Sequence, residues 1–414
     1  MSRLVMKFGG TSVGDVERIR RVARLVAAER AAGHSVAVVV SAMSGDTNRL
    51  VALADEAGKG LPSEQFDDEY DVVVATGEQV TTGLLALALR AMGIPARSWQ
   101  GWQIRVASSD AHGSARIDGI DAAAVATAID AGEVAVIPGF QGVTAEDRIT
   151  TLGRGGSDTS AVAVAAALNA MRCDIYTDVD GVYTTDPRMV PRAQRLEKIS
   201  YEEMLEMASL GAKVLQTRSV ELAMAKQVPV RVLSSFVEPG DPNPGTLVCD
   251  EDEIVEKQIV SGIAYSRDEA KLSLKGLVDN PGVAAIIFGM LADANVNVDM
   301  IVQAPSRTEG KVNMTFTIPE RDADRSAAIM HAAKDQIGFE VAEVKKDVSK
   351  VSVIGVGMRS HVGVARIMFD ALSKKGINIE NIATSEIKIS VLIDSSYTEL
   401  AVRALHTAYG LDGA

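Results

Sequence analysis

The sequence predicts an α/β protein with a largely parallel central sheet, followed by two smaller α+β modules. In the first half, short apolar runs alternate with segments of helical periodicity, in the order strand, helix, strand. Two glycine-rich turns follow apolar runs, and the last third of the chain repeats itself once. Strand and helix alternation of this kind is typical of parallel sheets covered by helices on both faces.

The first elements follow from the spacing of apolar residues. Residues 4–8 form an apolar run that predicts a strand. Val16, Ile19, Ala23 and Val26 then recur at helical spacing, and Gly33 offers a C-terminal stop.

Residues 36–40 predict the second strand and 134–137 a later one, with a helix over 84–89 between them. Lys7, Ser41 and Thr177 lie at or just beyond the ends of predicted strands. Because ligands bind outside the carboxyl ends of parallel strands, we expect the site at that edge.

The segment EPGDPNPG at 238–245 marks a domain break. It contains three prolines and two glycines and follows the predicted strand 230–233. We therefore predict a catalytic domain over 1–245, a linker over 246–265, and modules over 266–345 and 346–414.

The two modules are recognised by an internal repeat. Residues 279–282 introduce a helical segment and then the strand-like VNVDMI, and residues 360–363 introduce a similar helix and INIENI. Matching positions are separated by 81 residues, as 360 − 279 shows. Only two copies are present, which excludes a solenoid and favours two small α+β modules.

Composition narrows the function classes. The net charge of -13 opposes binding to nucleic acids, and we expect neither a nucleic-acid nor a membrane partner. Only Cys173 and Cys249 are present, without metal-ligand spacing, which argues against a disulfide framework. The N-terminus lacks the apolar core of a secretion signal, and no apolar run is long enough to span a bilayer, so we expect a cytoplasmic protein.

KFGGTSVG predicts an anion site. Adjacent Gly9 and Gly10 permit a tight turn, and the helix that follows offers unpaired N–H groups and a partial positive charge. Lys7 adds a full charge, which suits a polyphosphate. The alternative at this point is an ordinary strand-to-helix turn.

TTLGRGGSDTSAVAVAAAL predicts a second anion site. Its turn contains Gly153, Gly155 and Gly156, and Ser157 or Asp158 is expected to cap the helix behind it. Arg154 in the turn can hold a carboxylate or phosphate bidentately. The alternative is a solvated loop arginine.

Two further motifs are less specific. Glu78 in TGEQ lies at a predicted helix start, a favourable position for any acid. IYTDVDGVYTTDPR reads as a hairpin turning at Asp180 and Gly181. A nucleotide pocket could use Tyr183 and Arg188 of that segment, although its sequence does not require this.

Taken in order, KFGGTSVG, SAMSGDTNRL, TGEQ, TLGRGGSDT, YTDVDGVYTTDPR and GAKVL resemble the aspartate kinases of the amino-acid kinase superfamily. The resemblance covers nearly the whole chain, because the repeated modules look like the family's two ferredoxin-like ACT domains. It implies an amino-acid-kinase sandwich that uses ATP and Mg²⁺ to phosphorylate the side-chain carboxylate of L-aspartate. The product would be 4-phospho-L-aspartate, at the head of lysine, threonine and methionine synthesis.

The resemblance also implies roles for individual residues. The residues that would act on the transferring group are Lys7, Asp158 and Lys213. Those that would bind ATP are Lys7, Gly9, Gly10, Ser12, Thr177, Asp178, Tyr183, Arg188 and Lys213. Those that would bind aspartate are Ser41, Thr47, Glu78, Arg154 and Ser157, with Arg154 on the α-carboxylate and Glu78 on the α-ammonium. No magnesium ligand is identified.

Regulation is the second implication. ACT modules pair across subunits, so self-association as a homodimer or larger is expected, with lysine and threonine as inhibitors. The effector contacts would be Asp279, Gly282, Asn297, Gln303, Asn378 and Ile379. Val362 and Ala304 depart from residues common in the family, which affects the identity of the effector more than the kinase activity.

Three alternatives stay open. A non-catalytic amino-acid sensor would be expected to lack the phosphate-binding residues, yet Lys7, Lys213 and Arg154 are present. A related kinase acting on glutamate, acetylglutamate or a nucleotide is the second. A dehydrogenase is weaker, because GVGMRSHVG lacks GxGxxG spacing.

Overall fold

The computed structural model describes residues 2–211, 214–240, 244–254 and 259–413. It divides into two compact units. The first comprises 1–182, 195–209 and 213–256, and the second comprises 183–194, 210–212 and 257–414.

The first unit contains the predicted alternation of strands and helices. Its strands are β1 (Arg3–Phe8), β2 (Ser35–Val40), β3 (Ala96–Ser98), β4 (Val106–Ser108), β5 (Ile117–Ile120), β6 (Val134–Pro138), β7 (Gln141–Val143), β8 (Ile149–Thr151), β9 (Arg172–Thr177), β10 (Lys198–Ser200), β11 (Val230–Ser234) and β12 (Thr246–Cys249). Its α-helices are α1 (Val16–Ala31), α2 (Asp46–Ala57), α3 (Asp67–Val74), α4 (Thr76–Ala91), α5 (Ala123–Asp130), α6 (Gly156–Ala167), α7 (Tyr201–Ser209) and α8 (Thr217–Lys226), and short 3-10 helices lie at Ser63–Gln65 and Glu251–Glu253.

Eight strands form the central sheet in the order β10-β12-β11-β9-β1-β2-β6-β3. The five pairings from β11 to β3 are all parallel, and β12 is antiparallel to β11. The register places Phe8 opposite both Val40 and Tyr176, and Val40 opposite Pro138. The strands therefore end together, and the chain leaves β1, β2, β6 and β9 at one edge, as the sequence predicts.

Helices cover both faces of this sheet. Met6 and Phe8 pack with residues of α1 and α4 in one buried cluster. Lys7 alternates with them along β1 and meets Asp158 of α6 on the opposite face. Helix α1 begins where predicted, because Asp15 caps it by accepting a hydrogen bond from the Arg18 amide.

A smaller sheet in the order β5-β4-β7-β8 accompanies the main one. The helical stretch Asp67–Ala91, which joins α3 and α4, is long and apolar enough to cross a membrane by length and composition alone. Half of its most apolar window is buried inside the fold, as in a core helix of a globular domain, so it is weak evidence for a span.

The second unit contains the repeated segments. Its strands are β13 (Gly262–Val278), β14 (Asp299–Pro305), β15 (Lys311–Ile318), β16 (Val341–Ile354), β17 (Asn381–Thr384) and β18 (Lys388–Asp394). Its α-helices are α9 (Val283–Asp293), α10 (Ala323–Ala332), α11 (Lys334–Ile337), α12 (Val364–Lys374) and α13 (Thr398–Ala408), with 3-10 helices at Glu320–Asp322, Val356–Ser360 and Ser395–Tyr397.

The two repeats share one antiparallel sheet, in the order β14-β15-β13-β16-β18-β17. The long strands β13 and β16 pair with each other and so join the two copies. Gly282 and Gly363 precede α9 and α12 with left-handed φ values of 97° and 92°, so the predicted repeat extends to backbone conformation.

Two segments differ from the proposed domain boundaries. β12 at Thr246–Cys249 belongs to the central sheet, although the sequence places it in a linker over 246–265. Tyr183–Gln194 groups with the second unit, and Met189 and Val190 are buried there with residues of α12 and α13.

Candidate active site

The first glycine turn packs closely on neighbouring strand ends. A Cβ on Gly10 would lie 2.9 Å from the carbonyl oxygen of Ala42, and a Cβ on Gly9 would lie 3.3 Å from Lys7 Nζ. Ser12 is buried, and its hydroxyl donates to Ser235 Oγ at 2.9 Å. Space therefore requires glycine at position 10, whereas a side chain at position 9 would crowd the Lys7 ammonium.

Lys7 and Asp158 form a buried ion pair. The distance from Lys7 Nζ to Asp158 Oδ1 is 2.6 Å, and each side chain is 10% exposed. Pairing stabilises two charges that burial alone would disfavour strongly. The structure therefore brings together two of the three residues predicted to act on the transferring group.

Lys213, the third of those residues, lies outside the described residues.

The second glycine turn has a different cap from the predicted one. Helix α6 begins at Gly156, and its N-cap is Gly155 with φ of 75°, without a side-chain cap hydrogen bond among the described residues. The prediction that Ser157 or Asp158 caps the helix is wrong, because both lie inside its first turn. Asp158 is thereby free to face Lys7.

Arg154 is exposed on this turn, between two glycines in left-handed conformation. It forms no ion pair within the described part of the chain. Ser157 is buried beside the exit of β6, where a Cβ on Gly139 would lie 2.8 Å from its own Cβ. The two predicted substrate residues thus lie on one turn, one exposed and one packed.

Glu78 is a buried carboxylate with one unpaired oxygen among the described residues. It is 3% exposed in the first turn of α4. Its Oε1 accepts a hydrogen bond from the Ala42 amide at 3.0 Å, whereas Oε2 is buried without a partner among the described residues. Burial raises the pKa of Glu78 from 4.5 to about 7.

This position of Glu78 depends on glycine. A Cβ on Gly77 would lie 2.7 Å from the Ala42 Cβ, so only glycine lets α4 approach the loop after β2. The arrangement buries one carboxylate oxygen, Oε2, without a hydrogen-bond partner among the described residues. Such an oxygen is suited to receive a cation that arrives with a ligand.

The remaining predicted residues of the first unit lie at the same edge. The Ser41 amide donates to the Phe8 carbonyl at 3.1 Å, and Thr47 is half-buried in the first turn of α2. Thr177 ends β9 and its hydroxyl donates to the exposed Asp178 at 3.3 Å.

Tyr183 and Arg188 belong to the second unit. Arg188 is exposed and pairs with Asp186 at 2.9 Å, and it holds the pKa of that carboxyl below its ordinary value. The predicted hairpin is absent, since no regular strand lies between Thr177 and Lys198 in this described stretch.

The predicted effector residues lie in the loops that flank α9, on β14, and in the loop that follows α12. Asp279, Gly282, Asn297, Gln303 and Asn378 are exposed, and Ile379 is half-buried. Met300 of β14 is buried in a cluster that includes Ala383 of β17. The strands beside these residues therefore pack on each other within the second unit.

Sequence reasoning missed two supporting residues in the first unit. Ser235 accepts from Ser12 and donates to the Thr177 carbonyl at 3.0 Å, which ties the first turn to β9. Ser235 could have been predicted as a site residue, because it follows the end of the predicted strand 230–233. Asp71 gave no signal, since it is one of four acids within residues 67–71.

Comparison with known proteins places these features in context. The model of the amino acid kinase family matches residues 2–234, and that of the ACT domain matches 272–333 and 351–409. An aspartate kinase of Stutzerimonas stutzeri is 54% identical over 413 residues, which is 100% of this chain and 98% of that protein.

Two solved structures of E. coli aspartokinase III are also similar. The complex with aspartate and ADP, described as the R-state, has a TM-score of 0.77 at 29% identity, over 98% of this chain and 99% of that one. The complex with lysine and aspartate, described as the T-state, has a TM-score of 0.76 at 30% identity, over 98% of each chain.

Proposed function

Because the chain belongs to the aspartate kinases of the amino acid kinase family, we propose that it transfers the γ-phosphoryl group of ATP to the side-chain carboxylate of L-aspartate. The product is then 4-phospho-L-aspartate, the first intermediate towards lysine, threonine and methionine. The observation that carries this proposal is a set of charged residues: the buried pair of Lys7 and Asp158, and the buried Glu78, whose Oε2 has no partner among the described residues. The exposed Arg154 lies in the turn that leads into the helix of Asp158.

The chemistry of the transfer requires these charges. The attacking carboxylate is already ionised at neutral pH, so no general base is needed. The obstacle is the approach of one anion to another, and catalysis depends on positioning and charge neutralisation. Lys7 supplies a cation near the strand end, and a Cβ on Gly9 would lie 3.3 Å from its ammonium nitrogen, so glycine at this position avoids crowding it.

The residues assigned to aspartate match its charged groups. Arg154 binds the α-carboxylate of aspartate through its planar guanidinium, and Glu78 binds the α-ammonium. Ser41, Thr47 and Ser157 complete the contacts. This assignment is supported by the buried Oε2 of Glu78, which is without a partner in the described residues, because an ammonium would compensate it.

The nucleotide is assigned to a second group of residues. Those that bind MgATP in this proposal are Lys7, Gly9, Gly10, Ser12, Thr177, Asp178, Tyr183, Arg188 and Lys213. The described residues contain no cluster of three or more His, Cys, Asp or Glu that could hold a metal ion. This fits Mg²⁺ entering on the ATP phosphates, which is its usual mode in kinases.

Regulation is assigned to the second unit. Lysine and threonine bind at Asp279, Gly282, Asn297, Gln303, Asn378 and Ile379, and the ACT modules mediate self-association into a homodimer or larger. Support comes from the repeated left-handed glycines and the exposure of the polar candidates. Related E. coli aspartokinase III has been crystallised with lysine.

Two coarser features complete the proposal. The proposed domains are a catalytic domain over 1–245, a linker over 246–265, and ACT modules over 266–345 and 346–414. Two segments lie outside this division, because β12 belongs to the central sheet and Tyr183–Gln194 belongs to the second unit. A cytoplasmic location agrees with two buried, unbridged cysteines, Cys173 and Cys249.

The test is an assay of ADP release with purified protein and MgATP. Aspartate should support turnover, whereas glutamate, N-acetylglutamate and buffer alone should not. Turnover with another acceptor would indicate a related kinase, and none with any acceptor would indicate a sensor. Repeating the assay with lysine, threonine and both together tests the regulation, which fails if neither alters the rate.

A further inference from the structure

We propose that Asp71 is a positioning residue for the turn that carries Arg154. Asp71 lies on α3 and is fully buried, with 0% exposure. A buried carboxylate is costly unless it is hydrogen-bonded, so its partners indicate what it holds in place.

All three partners lie outside α3. The Thr151 hydroxyl donates to Asp71 Oδ1 at 2.5 Å, and the Gly113 amide donates to Oδ2 at 3.0 Å. His112 Nδ1 lies 2.8 Å from Oδ2, and it donates because a carboxylate has only acceptors. One carboxylate thus joins α3, the loop at 112–113 and the end of β8.

These partners adjoin the glycine turn, through the chain at Thr151 and through a close contact at Gly113. Thr151 is the last residue of β8, three residues before Arg154. A Cβ on Gly153 would lie 3.3 Å from the Gly113 carbonyl oxygen, so the turn rests on the loop that Asp71 holds. Any movement of Gly113 would therefore be transmitted to the backbone of the turn.

A second clamp acts on the other side. The guanidinium of Arg218 donates to the carbonyl oxygens of Leu152 at 2.6 Å and of Ala115 at 3.0 Å. Asp71 and Arg218 thus hold the same two segments, 112–115 and 151–152. Asp71 accepts hydrogen bonds from donors of these segments, and Arg218 donates hydrogen bonds to their carbonyl oxygens. Arg154 itself forms no ion pair within the described part of the chain, so its place depends on this backbone.

The inference rests on the proposed contact between Arg154 and the α-carboxylate of aspartate. If Asp71 positions that arginine, its loss weakens aspartate binding without altering the nucleotide side. A purely structural Asp71 would lower stability and leave the Michaelis constants of the folded enzyme unchanged.

The experiment compares Asp71→Asn with Glu203→Gln in the full-length protein. Glu203 is a matched control, since it is 1% exposed and accepts from the Ser200 amide and hydroxyl, both at 3.1 Å. Both variants should lower the melting temperature. Asp71→Asn should raise KM for aspartate about tenfold, as expected for loss of a charge-assisted contact, with KM for ATP within about threefold. Glu203→Gln should leave KM for aspartate within about twofold.

Two further variants keep the inference falsifiable if Asp71→Asn does not fold. Thr151→Val removes one donor and should raise KM for aspartate, whereas Thr151→Ser keeps the hydroxyl and should restore it. In an Arg154→Ala background, Asp71→Asn should add nothing to KM, because the group it positions is gone.

Three results would overturn the inference. KM for aspartate could be unchanged in Asp71→Asn, KM for ATP could rise as much as KM for aspartate, or the effects of Asp71→Asn and Arg154→Ala on KM for aspartate could be additive. Failure of the proposed function looks different. In that case the wild-type protein shows no aspartate-dependent turnover, or Arg154→Ala alone leaves KM for aspartate at the wild-type value.

Discussion

Glu78 predicts that aspartate binding weakens as pH falls. Burial raises the pKa of Glu78 to about 7 in the free protein. If Glu78 binds the substrate ammonium as proposed, only its ionised form attracts that group. With that pKa about nine-tenths of Glu78 is ionised at pH 8 and about one-tenth at pH 6. The apparent KM for aspartate should therefore rise about tenfold between pH 8 and pH 6.

The same pKa makes a prediction about stability. A carboxyl whose pKa is raised on folding binds its proton more tightly in the native state, so stability falls as pH rises through the interval from 4.5 to about 7. Ionised Glu78 should lower the free energy of unfolding by about 2.5 kcal/mol at pH 9 relative to pH 5. Its burial at 3% exposure means that solvent screens little of this cost.

Glu78→Gln separates the two effects. Glutamine keeps an acceptor for the Ala42 amide and does not titrate, so KM for aspartate should be high and free of this pH dependence. Urea unfolding at pH 5 and pH 9 should show the variant gaining about 2.5 kcal/mol relative to wild type at the higher pH. Because other titrations are common to both proteins, they cancel in that difference.

Either of two results would contradict the proposed role of Glu78. One is a Glu78→Gln enzyme with wild-type KM for aspartate at pH 8. The other is a stability difference between the two proteins that stays constant with pH, which would mean that Glu78 does not titrate in this interval.

Three further substitutions, two of them compared with a second variant, test the rest of the site. Lys7→Ala should lower kcat by about 10² to 10³ and the free energy of unfolding by about 3–5 kcal/mol, because it leaves Asp158 buried without its cation. Adding Asp158→Asn to Lys7→Ala should restore stability but not kcat. Unchanged turnover in Lys7→Ala would contradict the role of Lys7. Arg154→Ala should raise KM for aspartate at least about tenfold in steady-state assays, and a wild-type KM would count against it. Gly139→Ala should lower kcat/KM for aspartate and lower the free energy of unfolding by about 1–3 kcal/mol, because its Cβ would lie 2.8 Å from that of Ser157. Gly83→Ala is the control: its Cβ would meet nothing within 4 Å, so the kinetics should stay unchanged and the free energy of unfolding should rise by about 1 kcal/mol. Equal kinetics in the two variants would exclude crowding of Ser157.

The sequence predicted the sheet edge well for a physical reason. Buried parallel strands are continuous apolar runs, and glycine turns mark where they end, so Lys7, Ser41 and Thr177 could be placed at one edge from local signals. The repeat at 81 residues was likewise a local pattern. Helices α9 and α12 begin at Val283 and Val364, as it requires.

Long-range packing was beyond local signals. The pairing of β13 with β16 joins the repeats into one sheet, and no periodicity in either copy specifies it. The cap of α6 was missed because a left-handed glycine ended the turn before Ser157 could cap it. Asp71 was missed because its partners come from segments about 41 and 80 residues away.

Glu78 and Asp158 are both buried carboxylates, yet within the described part of the chain only Asp158 is paired with a cation. Asp158 is paired with Lys7 at 2.6 Å, whereas Glu78 accepts a hydrogen bond from the Ala42 amide and its Oε2 has no partner among the described residues. Under the proposed assignment, the ammonium of a free α-amino acid would compensate Glu78, and its α-carboxylate would compensate Arg154. The side-chain carboxylate is then left for the reaction. An N-acylated amino acid would bring no ammonium and would leave Glu78 uncompensated, so the charge pattern favours aspartate over acetylglutamate as the acceptor.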